Sequence, residues 1–222
     1  MSKNLEAVRH RIDEAVARAD RDAGAVRLVA VSKTKPVEEI RPVLAGGQRL
    51  FGENRVQEAA AKWPGLRDEF PDVRLHLIGP LQTNKVKQAV ALFDAIETVD
   101  REKLARALAK EMQQADRWLD CFIEVNVGEE EQKAGILPAD ADDFIRLCRD
   151  ELKLPVRGLM CIPPAGEEPS PYFALLAKLA ARNELPEISM GMSADYEVAI
   201  EFGATLVRVG TAIFGARNYP PA

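Results

Sequence analysis

The chain has 222 residues, of which 47% are hydrophobic, so it is long enough to bury one substantial core. Its formal net charge is −5, and the 30 basic and 35 acidic residues are scattered along the whole length. The sequence therefore offers no basic stripe to neutralise the phosphates of a nucleic acid. We expect one domain over residues 1–222 and no nucleic-acid partner.

Cysteine usage and the first residues indicate the compartment. The three cysteines are odd in number and lack CxxC spacing, which argues against a disulfide framework and against a zinc site. The N-terminus is densely charged, unlike a signal peptide, and no apolar run approaches membrane-spanning length. We expect a cytoplasmic protein without a metal site or a membrane segment.

The first segment has the apolar spacing of an amphipathic helix that ends near Gly24. Its apolar stripe consists of Leu5, Val8, Ile12, Val16 and Ala19.

After this helix, short apolar runs of strand type alternate with longer helical segments. Alternation this regular implies parallel strands joined by crossover helices, and eight units predict a (β/α)8 barrel with an extra N-terminal helix. An open, doubly wound sheet is the alternative. The predicted strands are Leu28–Val31, Arg49–Phe51, Arg74–Ile78, Ala95–Val99, Cys121–Val127, Val156–Cys161, Glu187–Met190 and Thr205–Val209. The predicted helices between them are Pro36–Ala45, Arg55–Lys62, Asn84–Leu92, Arg101–Gln114, Ala139–Arg149, Pro171–Ala181 and Ala194–Glu201.

Lys33 is a lysine directly after the first apolar strand. Strand alternation places it on the same face as Val29 and Val31, so it would cap the barrel lumen, where the active sites of such barrels form. A second lysine, Lys35, lies about 7 Å further along an extended chain. Their repulsion, roughly 2 kcal/mol, favours a neutral amine that can attack an aldehyde. The alternative is an ordinary solvated lysine.

Two loops near the end of the chain combine glycine with a hydroxyl. Gly191 and Ser193 precede a predicted helix, and Gly210 with Thr211 follows the last strand. Phosphate sites in these barrels are frequently built after strands seven and eight, so the two loops predict a phosphate cradle. The alternative for each is an ordinary helix cap.

Arg208 is predicted to face inward from the last strand. A buried arginine needs an acceptor, which could be a ligand or a carboxylate such as Glu124. A lysine that can form a Schiff base, a phosphate cradle and an inward arginine together describe a pyridoxal 5'-phosphate site.

The sequence also resembles the pyridoxal phosphate homeostasis protein family. The resemblance rests on VAVSKTKP, FGENRVQE, HLIGPLQTNK, NVGEEEQKAGI, RGLM, SMGMSADYEVAI and VRVGTAIFGAR, which run in order from residue 29 to residue 217. It implies a fold similar to the N-terminal barrel of alanine racemase. Two departures from the family pattern are Leu75-His76-Leu77 and Arg55, and they put in doubt only the packing around His76.

The resemblance assigns roles to individual residues. It implies a Schiff base on Lys33 with Lys35 beside it, Asn54 near the cofactor, and Arg208 facing the pyridine nitrogen, which weakens the ring as an electron sink. It also implies that Ser193, Gly210 and Thr211 hold the phosphate. Lys85 and Lys133 match further family lysines, either as solvated surface charges or as residues of cofactor transfer.

The sequence favours a carrier over an enzyme. No tyrosine or cysteine is a convincing second acid or base, and the chain after Thr211 leaves no room for the β domain of related enzymes. We expect a monomer or weak dimer that binds pyridoxal 5'-phosphate and serves pyridoxal-phosphate-dependent apoenzymes. The alternatives are a weak amino-acid racemase or lyase, and a phosphosugar-binding barrel enzyme in which Lys33 stays unmodified.

Overall fold

A computed structural model of the chain describes residues 3–215. The strands are β1 (Arg27–Val31), β2 (Leu50–Glu53), β3 (Arg74–Leu77), β4 (Ala95–Val99), β5 (Asp120–Glu124), β6 (Val156–Met160), β7 (Glu187–Ser189) and β8 (Leu206–Val209). They form a closed parallel barrel in the order β1 to β8. The (β/α)8 barrel is confirmed, and the open-sheet alternative is excluded because β8 pairs with β1.

Helices surround the barrel. They are α1 (Lys3–Arg18), α2 (Val37–Ala45), α3 (Val56–Glu69), α4 (Val86–Leu92), α5 (Glu102–Ala115), α6 (Ala141–Arg146), α7 (Ser170–Arg182), α8 (Tyr196–Glu201) and α9 (Thr211–Phe214). A 3-10 turn (Thr83–Lys85) precedes α4, and a π-helical turn (Leu147–Glu151) follows α6. The extra N-terminal helix α1 packs against α8 and α9, and its Arg18 pairs with Glu197 of α8 at 2.9 Å. No helix among the described residues is long and apolar enough to cross a membrane.

Side chains on the two faces of the strands pack into two separate hydrophobic cores, one inside the barrel and one between the barrel and its helices. Alternation along β1 confirms the predicted faces, because Val29 packs in the lumen while Leu28 and Ala30 pack against the helices. The lumen cluster consists of Val29, Leu50, Ala95, Phe122, Met160 and Leu206.

Helix α3 is longer than the sequence predicts. It was expected to end at Lys62, but it continues through Pro64 to Glu69. The cause is Trp63, which is fully buried and packs against Phe51 with ring centroids 5.0 Å apart. Burial of this large side chain outweighs the backbone hydrogen bond that the proline removes.

Two other boundaries differ from the prediction by three residues. The segment expected to be one helix up to Arg149 leaves α-helical geometry after Arg146. The fifth strand was expected to reach Val127, but it ends at Glu124. Beyond that point the backbone N–H of Asn126 bonds to Ile136 O at 2.9 Å, so the chain pairs with its own loop.

The pairing of β6 with β7 predicts that Gly158→Ala destabilises the fold. A Cβ at this position would fall inside van der Waals contact with the carbonyl oxygen of Glu187. Overpacking of this kind costs about 1–3 kcal/mol in the free energy of unfolding, measured by denaturant titration. The matched control is Gly65→Ala at an exposed position of helix α3, where a Cβ meets open space. The free energy of unfolding of this control is expected to rise by about 0.5–1 kcal/mol. Equal stability of Gly158→Ala and the wild type would contradict the close approach.

Candidate functional site

The loop after β1 brings four of the expected site residues together. Lys33, Lys35, Gly210 and Thr211 line one small cavity of about 30 Å³ at the carboxyl ends of β1 and β8. Lys33 is half-buried there, and the next residue, Thr34, has a φ of +63°, in the left-handed region. A β-branched residue in this conformation is strained, so the loop needs partners that hold it.

Those partners come from α3. Glu58 accepts a hydrogen bond from the backbone N–H of Thr34 at 2.5 Å. The ammonium of Lys62 donates to the carbonyl oxygens of Ser32 at 3.0 Å and Lys35 at 3.3 Å, and it pairs with Glu58 at 2.8 Å. Glu58 and Lys62 therefore fix both sides of the turn that carries Lys33.

Glu58 and Lys62 form a clamp on this turn. A fully buried carboxylate, Glu53, lies next to the clamp at the end of β2. It accepts hydrogen bonds from Ser32 Oγ at 2.7 Å and Trp63 Nε1 at 3.1 Å, and it pairs with Lys62 at 2.7 Å. Burial raises the pKa of Glu53, while the charge of Lys62 opposes the shift. The sequence reasoning missed this cluster, although the i,i+4 spacing of Glu58 and Lys62 on a helix was an available signal.

Lys35 lines the same cavity as Lys33 but has protein partners of its own. Its ammonium pairs with Glu39 at 2.9 Å and donates to Phe214 O at 2.9 Å. The sequence predicted that repulsion between the two lysines favours a neutral amine, and the carboxylate of Glu39 offsets part of this repulsion. Lys35 consequently ties the β1 loop to α9.

Arg208 faces the lumen, as predicted, on the same face of β8 as Leu206. It is 4% exposed, and it donates to Ser189 Oγ at 2.7 Å and to Cys161 O at 2.8 Å. The ion pair with Glu124 that the sequence offered as an alternative is not formed among the described residues. Ser189 instead links the guanidinium to another acid, because its hydroxyl donates to Glu97 Oε2 at 2.5 Å.

Glu97 and His76 complete this buried chain of contacts. Glu97 is fully buried, and its Oε1 lies 2.6 Å from His76 Nδ1. Burial alone would raise the pKa of Glu97, but the contacts with His76, Arg208 and Ser189 outweigh it and hold the pKa below its ordinary value. An ionised carboxylate in the lumen, linked to the guanidinium through Ser189, fixes the orientation of Arg208.

Glu124 is a second acid near Arg208, at the carboxyl end of β5. It lies on the lumen face of the strand, two residues after Phe122. Burial and the nearby charge of Asp100 raise the pKa of Glu124 to about 7, and the charge of Arg208 opposes this shift. Near neutral pH this carboxyl therefore both binds and releases a proton.

The loop after β7 is one of the two expected to hold a phosphate. Gly191 has a φ of +89°, and a Cβ there would lie 2.6 Å from Ala199 Cβ. Asp195 stabilises the turn by accepting the N–H of Met192 at 2.6 Å. Ser193 is half-buried, and its hydroxyl and N–H have no hydrogen-bond partner within residues 3–215.

The loop after β8 lies beside the loop after β7, because Arg208 N donates a hydrogen bond to Gly191 O at 2.9 Å. A Cβ on Gly210 would lie 3.2 Å from Val31 O, so β8 and the β1 loop approach closely at this glycine. The hydroxyl of Thr211 has no hydrogen-bond partner in the described part of the chain. The two hydroxyls are thus available to a ligand.

The remaining predicted residues lie apart from the cavity of Lys33. Asn54 lines a different cleft together with Lys85. Lys133 pairs with Glu130 and donates to Pro163 O at 3.2 Å. The end of the last sequence motif, Ala216 and Arg217, lies outside the described residues.

Comparisons with known proteins extend over nearly the whole chain. The sequence model of the family described as "Alanine racemase, N-terminal domain" matches residues 4–218. The "Pyridoxal phosphate homeostasis protein" of Aquifex aeolicus is 42% identical over 228 residues, which cover 98% of this chain and 98% of that protein.

Solved structures agree with this family. An unknown protein from Bifidobacterium adolescentis has a TM-score of 0.91 and 34% identity, over 96% of this chain and 94% of its own. PipY of Synechococcus elongatus, solved with pyridoxal phosphate bound, has a TM-score of 0.79 and 38% identity, over 92% of this chain and 100% of its own. The chain therefore belongs to the pyridoxal phosphate homeostasis protein family, whose barrel is that of the alanine racemase N-terminal domain.

Proposed function

We propose that the chain is a cytoplasmic carrier that holds pyridoxal 5'-phosphate as a Schiff base on Lys33. The observation that carries this proposal is the cavity in which Lys33 meets Gly210 and Thr211 at the carboxyl face of the barrel. Further support comes from the relatives named for pyridoxal phosphate homeostasis and from the PipY structure with the cofactor bound.

The proposed attachment needs a rigid amine. The cofactor supplies an aldehyde and an electron-withdrawing ring. Lys33 would hold the cofactor through its side-chain nitrogen, whose condensation with the aldehyde would release water. The clamp of Glu58 and Lys62 keeps the backbone of the lysine's loop in one geometry, so little entropy is lost when the bond forms.

The other polar groups fit the rest of the cofactor. The unpartnered hydroxyls of Ser193 and Thr211 suit a phosphate at the ends of β7 and β8. Arg208, oriented by the buried chain to Glu97, would face the pyridine nitrogen and leave it unprotonated. An unprotonated ring is a weak electron sink, which favours carriage over catalysis. Lys35 would lie next to the cofactor without touching its reacting carbon, and Asn54 would lie near the cofactor in the neighbouring cleft.

The proposed role is to keep the reactive aldehyde sequestered and to release it to pyridoxal-phosphate-dependent apoenzymes. Residues 1–222 would act as one domain, as a monomer or weak dimer. The effect on amino-acid metabolism would be indirect.

One observation favours the alternative of a weak amino-acid racemase or lyase. Glu124 has a pKa of about 7 at the mouth of the lumen, which suits an acid or base working near neutral pH. In that case the purified protein would turn over an amino acid faster than the same concentration of unbound cofactor, and Glu124→Gln would abolish the difference.

Lys33→Ala should abolish covalent attachment of the cofactor. The wild type, mixed with pyridoxal 5'-phosphate, is expected to turn yellow, and borohydride reduction followed by peptide mass mapping should place the adduct on Lys33. The matched control is Lys110→Ala, which removes an exposed lysine from helix α5. An adduct that persists at another residue in Lys33→Ala, at wild-type yield, would refute the assignment.

Glu58→Ala should weaken cofactor binding without unfolding the protein. The substitution removes the acceptor of the Thr34 N–H. The strained backbone of Thr34 costs on the order of 1 kcal/mol or more and is then no longer held by this contact. We therefore expect Kd to rise about tenfold, as measured by spectroscopic titration. The control is Glu102→Ala, which breaks a similar i,i+4 pair with Arg106 on α5 but touches no site loop. An unchanged Kd in Glu58→Ala would show that the clamp has no part in binding.

Glu124→Gln should change the pH dependence of stability. Between an unfolded-state pKa of about 4.3 and the folded-state pKa of about 7, the folded protein keeps a proton that the unfolded chain has lost. The free energy of unfolding of the wild type should therefore fall as pH rises through this window, by roughly 1 kcal/mol per pH unit. The variant should lack this component in denaturant titrations at pH 5, 6 and 7, and identical slopes would count against the raised pKa.

A further inference from the structure

A second cleft opens at the carboxyl face of the barrel, between the loops that follow β2, β3 and β4. Its volume is about 530 Å³, which lies in the range of small-molecule sites. We call it the rim cleft. Its polar lining consists of the cations Arg55, Lys85 and Arg101 and the amides Asn54, Gln57 and Gln82.

The charge of the rim cleft is positive and largely uncompensated. Arg101 pairs with Asp100 and donates to Leu81 O at 2.9 Å, so its charge is partly used within the protein. The side chain of Arg55 differs from that of every other arginine between residues 3 and 215, because its guanidinium forms no hydrogen bond or ion pair there. The ammonium of Lys85 likewise has no such partner within this range. No aspartate or glutamate lines the cleft in the described part of the chain, so two charges remain to attract an anion.

The rim cleft also contains an acceptor that lacks a donor. Asn54 Oδ1 is buried and has no hydrogen-bond partner among the described residues. A buried polar atom without a partner is costly, and a ligand group that donates a hydrogen bond would relieve this cost. The loop of Asn54 is fixed in place, since a Cβ on Gly79 would lie 2.7 Å from Asn54 Cα. The acceptor therefore has little freedom to turn elsewhere.

We propose that the rim cleft binds a small organic ligand that carries two negative charges on its oxygen atoms and also a hydrogen-bond donor. Arg55 and Lys85 bind its anionic oxygens, and Asn54 accepts its donor. An acidic amino acid and a hydroxylated phosphate monoester share this chemistry. Because the cleft follows β2 and Lys33 follows the neighbouring strand β1, such a ligand would lie beside the proposed cofactor site. The inference depends on the cleft alone and holds whether or not Lys33 carries a cofactor.

Isothermal titration calorimetry of the full-length protein at low ionic strength tests this proposal. The first probe is L-glutamate, compared with L-glutamine, which lacks the side-chain charge. The second probe is glycerol 3-phosphate, compared with glycerol, which lacks the phosphate. Arg55→Gln combined with Lys85→Gln should weaken binding of a charged probe at least about tenfold, because two charge-assisted hydrogen bonds are lost. The matched control combines Lys103→Gln with Arg106→Gln, both exposed on α5, and should stay within about twofold of the wild type.

The outcomes separate the two ligand sources. Selective loss of L-glutamate binding in the cleft variant assigns an amino acid, and selective loss of glycerol 3-phosphate binding assigns a phosphate ester. Glycerol 3-phosphate can also bind at the loops of Ser193 and Thr211, and binding there does not depend on Arg55 or Lys85. Equal binding to the wild type and to the cleft variant therefore contradicts the proposal. Failure of both L-glutamate and glycerol 3-phosphate to bind the wild type also contradicts it.

Discussion

The pairing of β8 with β1 is the constraint on which the rest of the molecule depends. Val29 stands in register with Arg208, and Ala30 with Val209, so the first and last strands close the barrel. This closure brings the loop of Lys33 against Gly210, although the two are far apart in sequence. Without it the amine, the two hydroxyl loops and the inward arginine would not share one face.

Charged groups in the interior fix the geometry of this face. An isolated buried charge is expensive, and two chains of contacts link several of the buried charges here. One chain runs from His76 through Glu97 and Ser189 to Arg208 inside the lumen. The other joins Glu53 and Lys62 behind β1. The first orients the arginine and the second holds the loop of the amine, so the two ends of the proposed cofactor would be positioned by separate elements.

The sequence predicted the features that follow from short-range patterns. Short apolar runs identified the eight strands. A period of two identified the inward faces of Val29 and Arg208, because it needs only neighbouring residues. It did not identify features that depend on contacts between distant elements. Helix α3 passes Pro64 because Trp63 packs against Phe51 of β2. Arg208 bonds to groups of β7 and of the chain just after β6, and not to Glu124, which the sequence offered as the alternative to a ligand. The pair of Lys35 with Glu39 is local, with i,i+4 spacing, and was overlooked.

A crystal structure of the full-length chain grown with pyridoxal 5'-phosphate tests the central claim most directly. The account predicts continuous density from Lys33 Nζ to the aldehyde carbon of the cofactor. It also predicts the ring nitrogen within hydrogen-bond distance of Arg208 and the phosphate against Ser193 and Thr211. A cofactor joined to a different lysine, or bound with its phosphate away from both loops, would contradict the account.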